Sequence, residues 1–421
     1  MPSVTNRALQ AFLHSEPFLL GMLEQNPKEL PPLPNMLCNL LAQMVELSST
    51  PQVRSSISTL ACQEALDERF NGGKSQEDSE EFLSFLLNAV LESAIPGRNP
   101  AESMRGRSDQ TLECTHCKQV STTMSTPFFT WQIPLPSKET NKNSLKLSEL
   151  FLDSYTITET LDGDNLCFCS KCNKQSIFCK GDTISSSPNI LCVQLKRFTL
   201  NAGTGQTAKL MTSVDIEDTM TLQCFGSADL ESAVNYNLFC IVMHDGSRHE
   251  GHYLTMCRCS GCAARQSQDI SGCPRSMDDC AVWCIFDDAY VSKQMTRSAC
   301  LAEVLQKRPN VTPYLVFFAR EASAHEASSP CPICCKNGSR VKEMARAMIS
   351  SLLPDPSPAG LSEQGDISED AEDYASDPSA LQELIINFLQ GRKYSRISQV
   401  RDHYLTELEF VGIKLLQADN S

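Results

Sequence analysis

The fold of this chain depends on two stretches of sequence, Tyr236-Asn-Leu-Phe-Cys-Ile-Val-Met-His-Asp-Gly-Ser-Arg-His-Glu-Gly-His-Tyr-Leu-Thr255 and Trp283-Cys-Ile-Phe-Asp-Asp288. Both are rich in β-branched and aromatic residues, which predicts strands, and Asp245-Gly246 predicts a turn. A histidine at the beginning of one strand and paired carboxylates at the end of the next are expected to meet in space. A histidine oriented by a carboxylate is the base half of a nucleophilic hydrolase, although the same residue types also occur in ordinary sheets.

Composition limits the classes of protein to which the chain can belong. It has 421 residues, enough for one large domain or two to three smaller ones, and a net charge of −15. That charge argues against nucleic acid and anionic membranes as partners and favours a partner with a basic face or tail. There is no apolar run near the roughly 20 residues that span a bilayer, and no secretory signal, so we expect the cytoplasm or nucleus. In that setting, 21 cysteines favour reduced thiols and metal sites over disulfides.

Two Cys-x-x-Cys pairs indicate a metal site. They are Cys114-Thr-His-Cys117 and Cys169-Ser-Lys-Cys172. Together they offer four thiolates, the ligand set that structural zinc prefers, with no position left open for catalysis. The alternative is four unligated thiols. Cys167 adjoins the second pair and could compete as a ligand.

Other cysteines leave two alternatives open. The segment 257–280 is either a second metal site or a flexible, thiol-rich loop, and a weaker lone pair follows in the tail at Cys331-Pro-Ile-Cys334-Cys335. The cysteines of that segment are Cys257, Cys259, Cys262, Cys273 and Cys280.

Periodicity predicts helices first and strands later. The predicted helices cover Thr5 to Leu13, Leu37 to Leu47, residues 56–70, a stretch opened by Ser75 with Asp78 as a capping box, and a short stretch at 145–155. The predicted strands cover 128–136, 188–198, 235–257, 281–292 and 313–320. A helical beginning, a metal-bearing excursion and several strands predict an α+β fold.

The C-terminal part changes in composition. Residues 323–377 are rich in Ser, Pro, Glu and Asp, which predicts an acidic, disordered linker. Residues 378–421 predict a helical segment that docks on the domain or binds a partner.

Six motifs, in this order, resemble the ubiquitin-specific protease family of cysteine deubiquitinases. The resemblance covers roughly residues 3–320. The motifs are Asn6-Arg-Ala-Leu-Gln-Ala11 at the cysteine box, Gln76-x-Asp78-x-x-Glu81-Phe82, the two Cys-x-x-Cys pairs, Leu195-Lys-Arg-Phe198, Gly251-His252-Tyr253 with Trp283-x-x-Phe286-Asp287-Asp288, and Tyr314-Leu-Val-Phe-Phe318.

The resemblance implies a papain-like hand with a helical thumb, zinc-ribbon fingers and a β-rich palm. These parts correspond to about 1–105, 106–187 and 188–322 of a catalytic domain at 1–322. The hand grips ubiquitin and hydrolyses the bond after its C-terminal glycine, so ubiquitin and ubiquitinated proteins are the implied partners.

The resemblance also implies the roles of individual site residues. His252 is the implied general base and Asp287 orients it, while Asp288 supports the oxyanion or the substrate tail. His244 stands where the family has a non-catalytic strand residue.

The departure from the family lies at the nucleophile. Ser3 stands where the family has cysteine, and the Gly-Leu-x-Asn-x-Gly-Asn run that precedes the nucleophile in the family is missing before Met1. A serine hydroxyl is far less acidic than a thiol, so it needs a complete general base and oxyanion hole to act as a nucleophile. Losing one hydrogen-bond donor of the oxyanion hole lowers the catalytic rate roughly 100- to 1,000-fold. We therefore predict little or no hydrolase activity.

Three hypotheses remain open from the sequence. The chain is a deubiquitinase whose sequence is a truncated or mis-started product, or a pseudoenzyme that binds ubiquitin or acts as a scaffold. The third is a zinc-stabilised structural protein unrelated to ubiquitin.

Overall fold

Six labelled helices lie in the described part of the chain. The computed structural model describes residues 9–48, 78–93, 99–122, 125–136, 144–156, 159–200, 207–225, 231–247, 251–260, 281–288, 290–293, 295–321 and 338–352. Residues 9–13 are helical. The labelled helices are α1 (Glu16–Leu23), α2 (Pro32–Ser48), α3 (Ser79–Ser93), α4 (Leu147–Thr156), α5 (Arg297–Lys307) and α6 (Gly338–Leu352), with short 3-10 turns at Pro27–Glu29, Pro100–Met104 and Gly163–Asn165.

The strands follow mostly after the third helix. In chain order they are β1 (Gly106–Cys114), β2 (Val120–Thr122), β3 (Thr126–Phe128), β4 (Thr130–Pro134), β5 (Leu145–Lys146), β6 (Glu159–Leu161), β7 (Cys167–Cys169), β8 (Lys174–Ser176), β9 (Phe178–Ser186), β10 (Ile190–Lys196), β11 (Phe198–Leu200), β12 (Thr207–Lys209), β13 (Val214–Asp215), β14 (Thr219–Phe225), β15 (Glu231–Gly246), β16 (Gly251–Ser260), β17 (Ala281–Asp287), β18 (Tyr290–Val291) and β19 (Thr312–Arg320).

A large sheet organises the described residues. Its order is β18-β17-β16-β15-β19-β10-β4, and β14 also pairs with β15, which makes eight strands. A second sheet has the order β2-β1-β9-β6, with β3 also on β1, and it carries the two Cys-x-x-Cys pairs at one end together with the small β7-β8 hairpin. The α+β class predicted from the sequence is therefore confirmed.

Both faces of the large sheet are buried, as the side chains of β10 show. Ile190 and Cys192 pack into a cluster built with helices α1, α2 and α3, whereas Leu191, Val193 and Leu195 pack into a second cluster with α4 and α5. Strands covered on both faces read as continuous apolar runs, which is why β10 and β19 show no alternation in sequence. Within the described residues, no helix is both long and apolar enough to cross a bilayer.

The start of α3 differs from the predicted capping box. The helix begins at Ser79, and Asp78 is its cap, since its Oδ1 accepts a hydrogen bond of 2.8 Å from the N–H of Glu80. Ser75 lies outside the described residues. Tyr314 on β19 donates to the other oxygen of Asp78, so this cap also joins the helices to the large sheet.

The predicted finger region is wrong in part. Strand β4 pairs in parallel with β10 and so joins the large sheet, and Trp131 on β4 packs with Phe151 of α4 in the cluster below that sheet. Strand β4 and helix α4 therefore belong with the large sheet, because their apolar side chains are buried there. No local pattern of residues indicated the long β1-β9 pairing of the second sheet.

The predicted linker at 323–377 is also wrong where the structure describes it. Helix α6 lies inside that range and packs against α1 and α2. Val341, Ala345 and Met348 are buried in the same cluster as those helices. Apolar residues at this helical spacing outweigh the acidic composition around them. The C-terminal segment 378–421 and the predicted helix at 56–70 lie outside the described residues.

Candidate active site and cysteine cluster

The β15-β16 hairpin positions the histidine. His252 is the second residue of β16 and stands directly opposite Asp245 on β15. The sequence predicted a turn at Asp245-Gly246, but both residues still belong to β15, and the chain reverses between Gly246 and Gly251. Gly246 has φ of 107°, a conformation that glycine adopts without a steric penalty.

Strand β17 brings the carboxylate to this histidine. Because β16 and β17 run antiparallel, the end of β17 lies beside the beginning of β16. His252 donates from Nε2 to Oδ1 of Asp287, and Oδ2 of Asp288 lies 3.9 Å from the same nitrogen. With Nε2 engaged in this way, Nδ1 is the ring nitrogen that can accept a proton from a nucleophile.

Asp287 is held as a carboxylate. Its partial burial would raise the pKa, but the hydrogen bond and charge of His252, together with the nearby Arg308, outweigh burial and hold the pKa below its ordinary value. Asp288 has φ of 53°, a left-handed conformation that aspartate tolerates at turns, and its side chain is 51% exposed. The two neighbouring carboxylates thus differ in surroundings, since one is oriented on the histidine and the other faces solvent.

A cluster of buried aromatic side chains lies next to His252 and Asp287. His244, the strand residue before the hairpin, lies among the rings of Phe198, Tyr253 and Tyr314, with centroid distances of 5.5, 4.6 and 6.2 Å. Burial and the charge of Lys209 lower the pKa of His244 to about 4, so it is neutral near pH 7. The non-catalytic role expected for His244 stays a prediction.

Arg308 is a site neighbour that sequence reasoning missed. Its Nη2 lies 3.2 Å from Oδ2 of Asp287, and its Nη1 lies 3.6 Å from Oδ2 of Asp245. It follows α5 in a polar stretch without a motif, so no local signal connects it with His252. Ser3, which the sequence comparison of motifs predicts at the nucleophile position, lies outside the described residues, as does Gln76.

The two Cys-x-x-Cys pairs come together at the end of the second sheet. The sulfurs of Cys114, Cys117, Cys169 and Cys172 all lie within 4.8 Å of one another. The Sγ atoms of Cys117 and Cys169 are 3.5 Å apart, and those of Cys114 and Cys172 are 4.0 Å apart. Zn–S bonds of about 2.3 Å in a tetrahedron place sulfurs ~3.8 Å apart, so this donor set fits a zinc ion.

The backbone of each pair is shaped in the same way. The residue after each second cysteine has a left-handed conformation, with φ of 59° for Lys118 and 52° for Asn173. The two turns thus share this backbone feature, and their four sulfurs meet within 4.8 Å of one another. Cys167 does not join the group of four, and its Sγ instead lies 3.7 Å from the carbonyl oxygen of Asn165.

The cysteines of the segment 257–280 are described only in part. Cys257 belongs to β16, is buried, and faces Cys240 of β15 at 3.5 Å between sulfurs. It is thus a core residue and not part of a loop. Cys259 is also in β16, while Cys262, Cys273 and Cys280, like the pair at 331–335, lie outside the described residues.

Comparison with known proteins decides the family. The profile of the family described as "Ubiquitin carboxyl-terminal hydrolase" matches residues 3–318. This chain belongs to the ubiquitin carboxyl-terminal hydrolase family. The matched range includes His252, Asp287, Asp288, Arg308 and the four clustered cysteines.

Named members of the family are similar over shorter ranges. Ubiquitin carboxyl-terminal hydrolase Usp2 of Drosophila melanogaster is 30% identical over 44% of this chain and 22% of its own length. Human ubiquitin carboxyl-terminal hydrolase 17 is 26% identical over 59% of this chain and 46% of its own length. A human relative named "Inactive ubiquitin carboxyl-terminal hydrolase 17-like protein 4" is 25% identical over 59% of this chain and 46% of its own length. The chain spans less than half the length of these three relatives.

A solved structure shares the fold. In the SAGA deubiquitinase module Ubp8/Sgf11/Sus1/Sgf73 bound to ubiquitin aldehyde, the matching chain is 22% identical with a TM-score of 0.56, over 76% of this chain and 68% of that chain. The papain-like deubiquitinase fold expected from the motifs is thereby confirmed.

Proposed function

We propose that this chain is the catalytic domain of a ubiquitin-specific protease that binds ubiquitin and whose hydrolase activity is impaired by Ser3. The observation that carries the proposal is the pairing of His252 with Asp287 inside the region that the family profile matches. The family reaction is thiol-dependent hydrolysis of the bond after the C-terminal glycine of ubiquitin. The substrates are then ubiquitinated proteins of the cytoplasm or nucleus.

The described residues supply the base half of this reaction. In the proposed mechanism His252 takes a proton from the nucleophile through Nδ1, while Asp287 holds the ring by Nε2 and stabilises the imidazolium that forms. Asp288, beside the pair and half exposed, contributes to holding the oxyanion or the ubiquitin tail. The nucleophile half falls to residue 3, where a serine is poorly ionised compared with a cysteine thiol.

A second candidate function follows from one of the relatives. A relative whose name calls it inactive is similar over 59% of this chain. The name of that relative indicates that a member of the family can lack hydrolase activity. Under this alternative the chain is a pseudo-deubiquitinase, which binds ubiquitin or acts as a scaffold without hydrolysis. The first candidate requires ubiquitin binding, and the two candidates differ in whether chemistry can be restored at residue 3.

The test combines binding with turnover. Ubiquitin binding is measured by calorimetry, and hydrolysis is measured with a fluorogenic reporter attached to the ubiquitin C-terminus. We expect the chain to bind ubiquitin and to show little or no turnover. We expect Ser3→Cys to raise turnover about tenfold or more, because a cysteine is already a few per cent thiolate near pH 7. His252→Ala in the Ser3→Cys background should abolish that gain.

Each contrary outcome has a distinct meaning. Turnover by the unchanged chain that disappears in His252→Ala would contradict the proposed impairment. Binding without any gain in Ser3→Cys would favour the pseudo-deubiquitinase. A chain that neither binds ubiquitin nor gains turnover would contradict the ubiquitin function itself.

A further inference from the structure

Arg308 joins two carboxylates that flank the candidate base. Its Nη2 lies 3.2 Å from Oδ2 of Asp287, and its Nη1 lies 3.6 Å from Oδ2 of Asp245. The side chains of all three residues are between 22% and 30% exposed, so water screens these contacts only in part. Asp245 stands directly opposite His252 in the β15-β16 ladder. One guanidinium therefore spans both sides of the histidine.

The backbone of Arg308 is fixed by the fold. Its N–H donates to the carbonyl oxygen of Val304 at 2.8 Å, which closes the last turn of α5, and its own carbonyl accepts from the N–H of Val311 at 3.2 Å. Val304 is buried against the sheet, and α5 packs on β17, the strand that carries Asp287. The distance from Arg308 to Asp287 is thus set by packed elements and not by a free loop.

The two oxygens of Asp287 have separate partners. Oδ1 accepts from His252 and Oδ2 faces Arg308, so rotation of the carboxylate would break both contacts. We propose that Arg308 is a positioning residue, whose guanidinium clamps Asp287 and Asp245 and so keeps the carboxylate aligned on His252 while keeping the imidazole available as a neutral base. This inference rests on the proposed role of His252 as the base.

The charges around His252 explain the need for a cation. Two carboxylates lie at its ring, namely Asp287 in contact and Asp288 at 3.9 Å, and Asp245 stands opposite His252 in the strand ladder. Negative charge in these positions favours the imidazolium. An imidazole protonated at pH 7 could not accept a proton from a nucleophile.

The neighbouring cations and the second histidine are placed differently. Lys209 donates to the carbonyl oxygen of His244 at 2.8 Å, and its pKa is lowered to about 8 by burial and by the charge of Arg197. His244 is neutral near pH 7. In the described part of the chain, Arg308 is the cation within 4 Å of both Asp245 and Asp287. Its positive charge offsets the negative charge of these carboxylates, while Asp287 stays in contact with the ring of His252 and orients it.

An arginine suits this task better than a lysine. Its planar fork presents several N–H donors in fixed directions, so it can contact two carboxylates at once, whereas an ammonium is a single point charge on a flexible chain. Replacing Arg308 with lysine therefore keeps the positive charge but removes the contact with two carboxylates at once.

The test measures the pKa of the imidazole itself. Long-range 1H–15N spectra follow the seven histidines of the chain against pH, and the signal of His252 is assigned by its loss in His252→Gln. In Arg308→Gln we expect the pKa of His252 to rise by about 0.5 to 1. The positive charge of Arg308 is then lost, and the negative charge of Asp287 stabilises the imidazolium without opposition. Arg308→Lys should raise the pKa of His252 by about half as much.

The matched control is Lys307→Gln. It removes the same charge one residue earlier, where Lys307 pairs with Glu303 and covers the ring of Tyr290 instead of facing the histidine. In Lys307→Gln we expect the pKa of His252 to change by less than about 0.2, because water and salt screen a charge on the surface. An unchanged pKa in Arg308→Gln, or an equal rise in Lys307→Gln, would overturn the proposal.

The lysine variant keeps the test decisive even if Arg308→Gln does not fold. Arg308→Lys retains the charge at the end of α5, and a rise in its His252 pKa supports the clamp. No rise there would show that a cation suffices and that the two-armed contact is irrelevant, which overturns the clamp. All these readouts come from the ring and not from ubiquitin binding or hydrolysis. A chain that neither binds ubiquitin nor gains turnover in Ser3→Cys would therefore contradict the proposed function without affecting this result.

Discussion

At the scale of single residues, the buried guanidinium of Arg197 binds backbone groups that are distant in the sequence. Arg197 ends the apolar run of β10 and is only 1% exposed. Its guanidinium donates to the carbonyl oxygens of Pro313, Leu210 and Thr212 at 2.6 to 2.9 Å. Burial lowers its pKa to about 10, so it keeps its charge and ties three backbone segments together.

His244 predicts a pH-dependent stability. Its pKa is lowered to about 4 in the folded state and is about 6.5 in an unfolded chain, so between these values the unfolded state binds more protons. Stability is therefore complete above about pH 6.5 and is lost as the pH falls toward 4. We expect the free energy of unfolding in urea to decrease by about 2–3 kcal/mol between pH 7 and 4.5.

The variant His244→Phe tests the assignment. Phenylalanine fits among the aromatic rings of Phe198, Tyr253 and Tyr314 and does not titrate, so the slope between pH 6.5 and 4.5 should largely disappear. Asp287, whose folded pKa lies below its ordinary value, acts only in more acidic solution and does not enter this range. A slope that persists in His244→Phe would assign the pH dependence to other groups.

At the scale of elements, two short hairpin turns build the cysteine cluster. The first lies between β1 and β2 and the second between β7 and β8, and each delivers two sulfurs from a turn with a left-handed residue after it. We propose that these four cysteines hold one structural zinc ion, since four thiolates without a cation would repel one another. The small apolar cluster there, of Cys114, Cys169 and Phe178, cannot by itself stabilise the tips of these strands.

Metal analysis checks this proposal. We expect about one zinc per chain, and Cys114→Ser should lose most of it, because a serine hydroxyl is a poor zinc ligand in place of a thiolate. Loss of the metal should also unfold the tips of β1 and β7, which hydrogen exchange of their amides would show.

Cys167→Ser is the matched control for the metal. It makes the same chemical change two residues before Cys169 but outside the group of four sulfurs. The zinc content should stay near one per chain. Equal metal contents in Cys114→Ser and the unchanged chain would contradict the site, and loss in Cys167→Ser would mean that Cys167 is a ligand.

At the scale of the whole molecule, the large sheet lies between two apolar clusters, and α6 closes one of them. This helix begins 20 residues after the family profile ends at 318, yet it packs against α1 and α2. Val341 and Ala345 are fully buried, and Met348 nearly so. The helical part of this chain is thus completed by a segment that lies beyond the matched family region.

Two alanines on α6 test this packing. Ala345 is buried and Ala347 is exposed on the same helix. We expect Ala345→Asp to reduce the free energy of unfolding by about 2–4 kcal/mol or to detach α6, because it buries an unpaired carboxylate. Ala347→Asp should change stability by less than about 0.5 kcal/mol. Urea unfolding and amide exchange of α6 measure both, and identical behaviour of the two variants would contradict the docking of α6.

Local patterns were sufficient for much of the fold. The apolar runs of β10 and β19, the helical stripe of α2 and the Cys-x-x-Cys spacing each express a preference of neighbouring residues, so the elements and the α+β class could be predicted. The histidine and aspartate boxes also pointed to a common site. The β1-β9 pairing was missed because its strands are half-buried and polar and lack a clear alternation.

Sequence alone therefore determined many of the elements, the family that they match and the side chains proposed for the chemistry, because these properties reside in short stretches of residues. Tertiary structure decided what surrounds those side chains. Arg308 contacts a carboxylate beside a histidine 56 positions earlier in the chain, Cys257 faces Cys240 in the core, and α6 packs on helices about 300 residues before it. Such contacts depend on how distant elements pack and on where burial removes water, and no local pattern of residues encodes them.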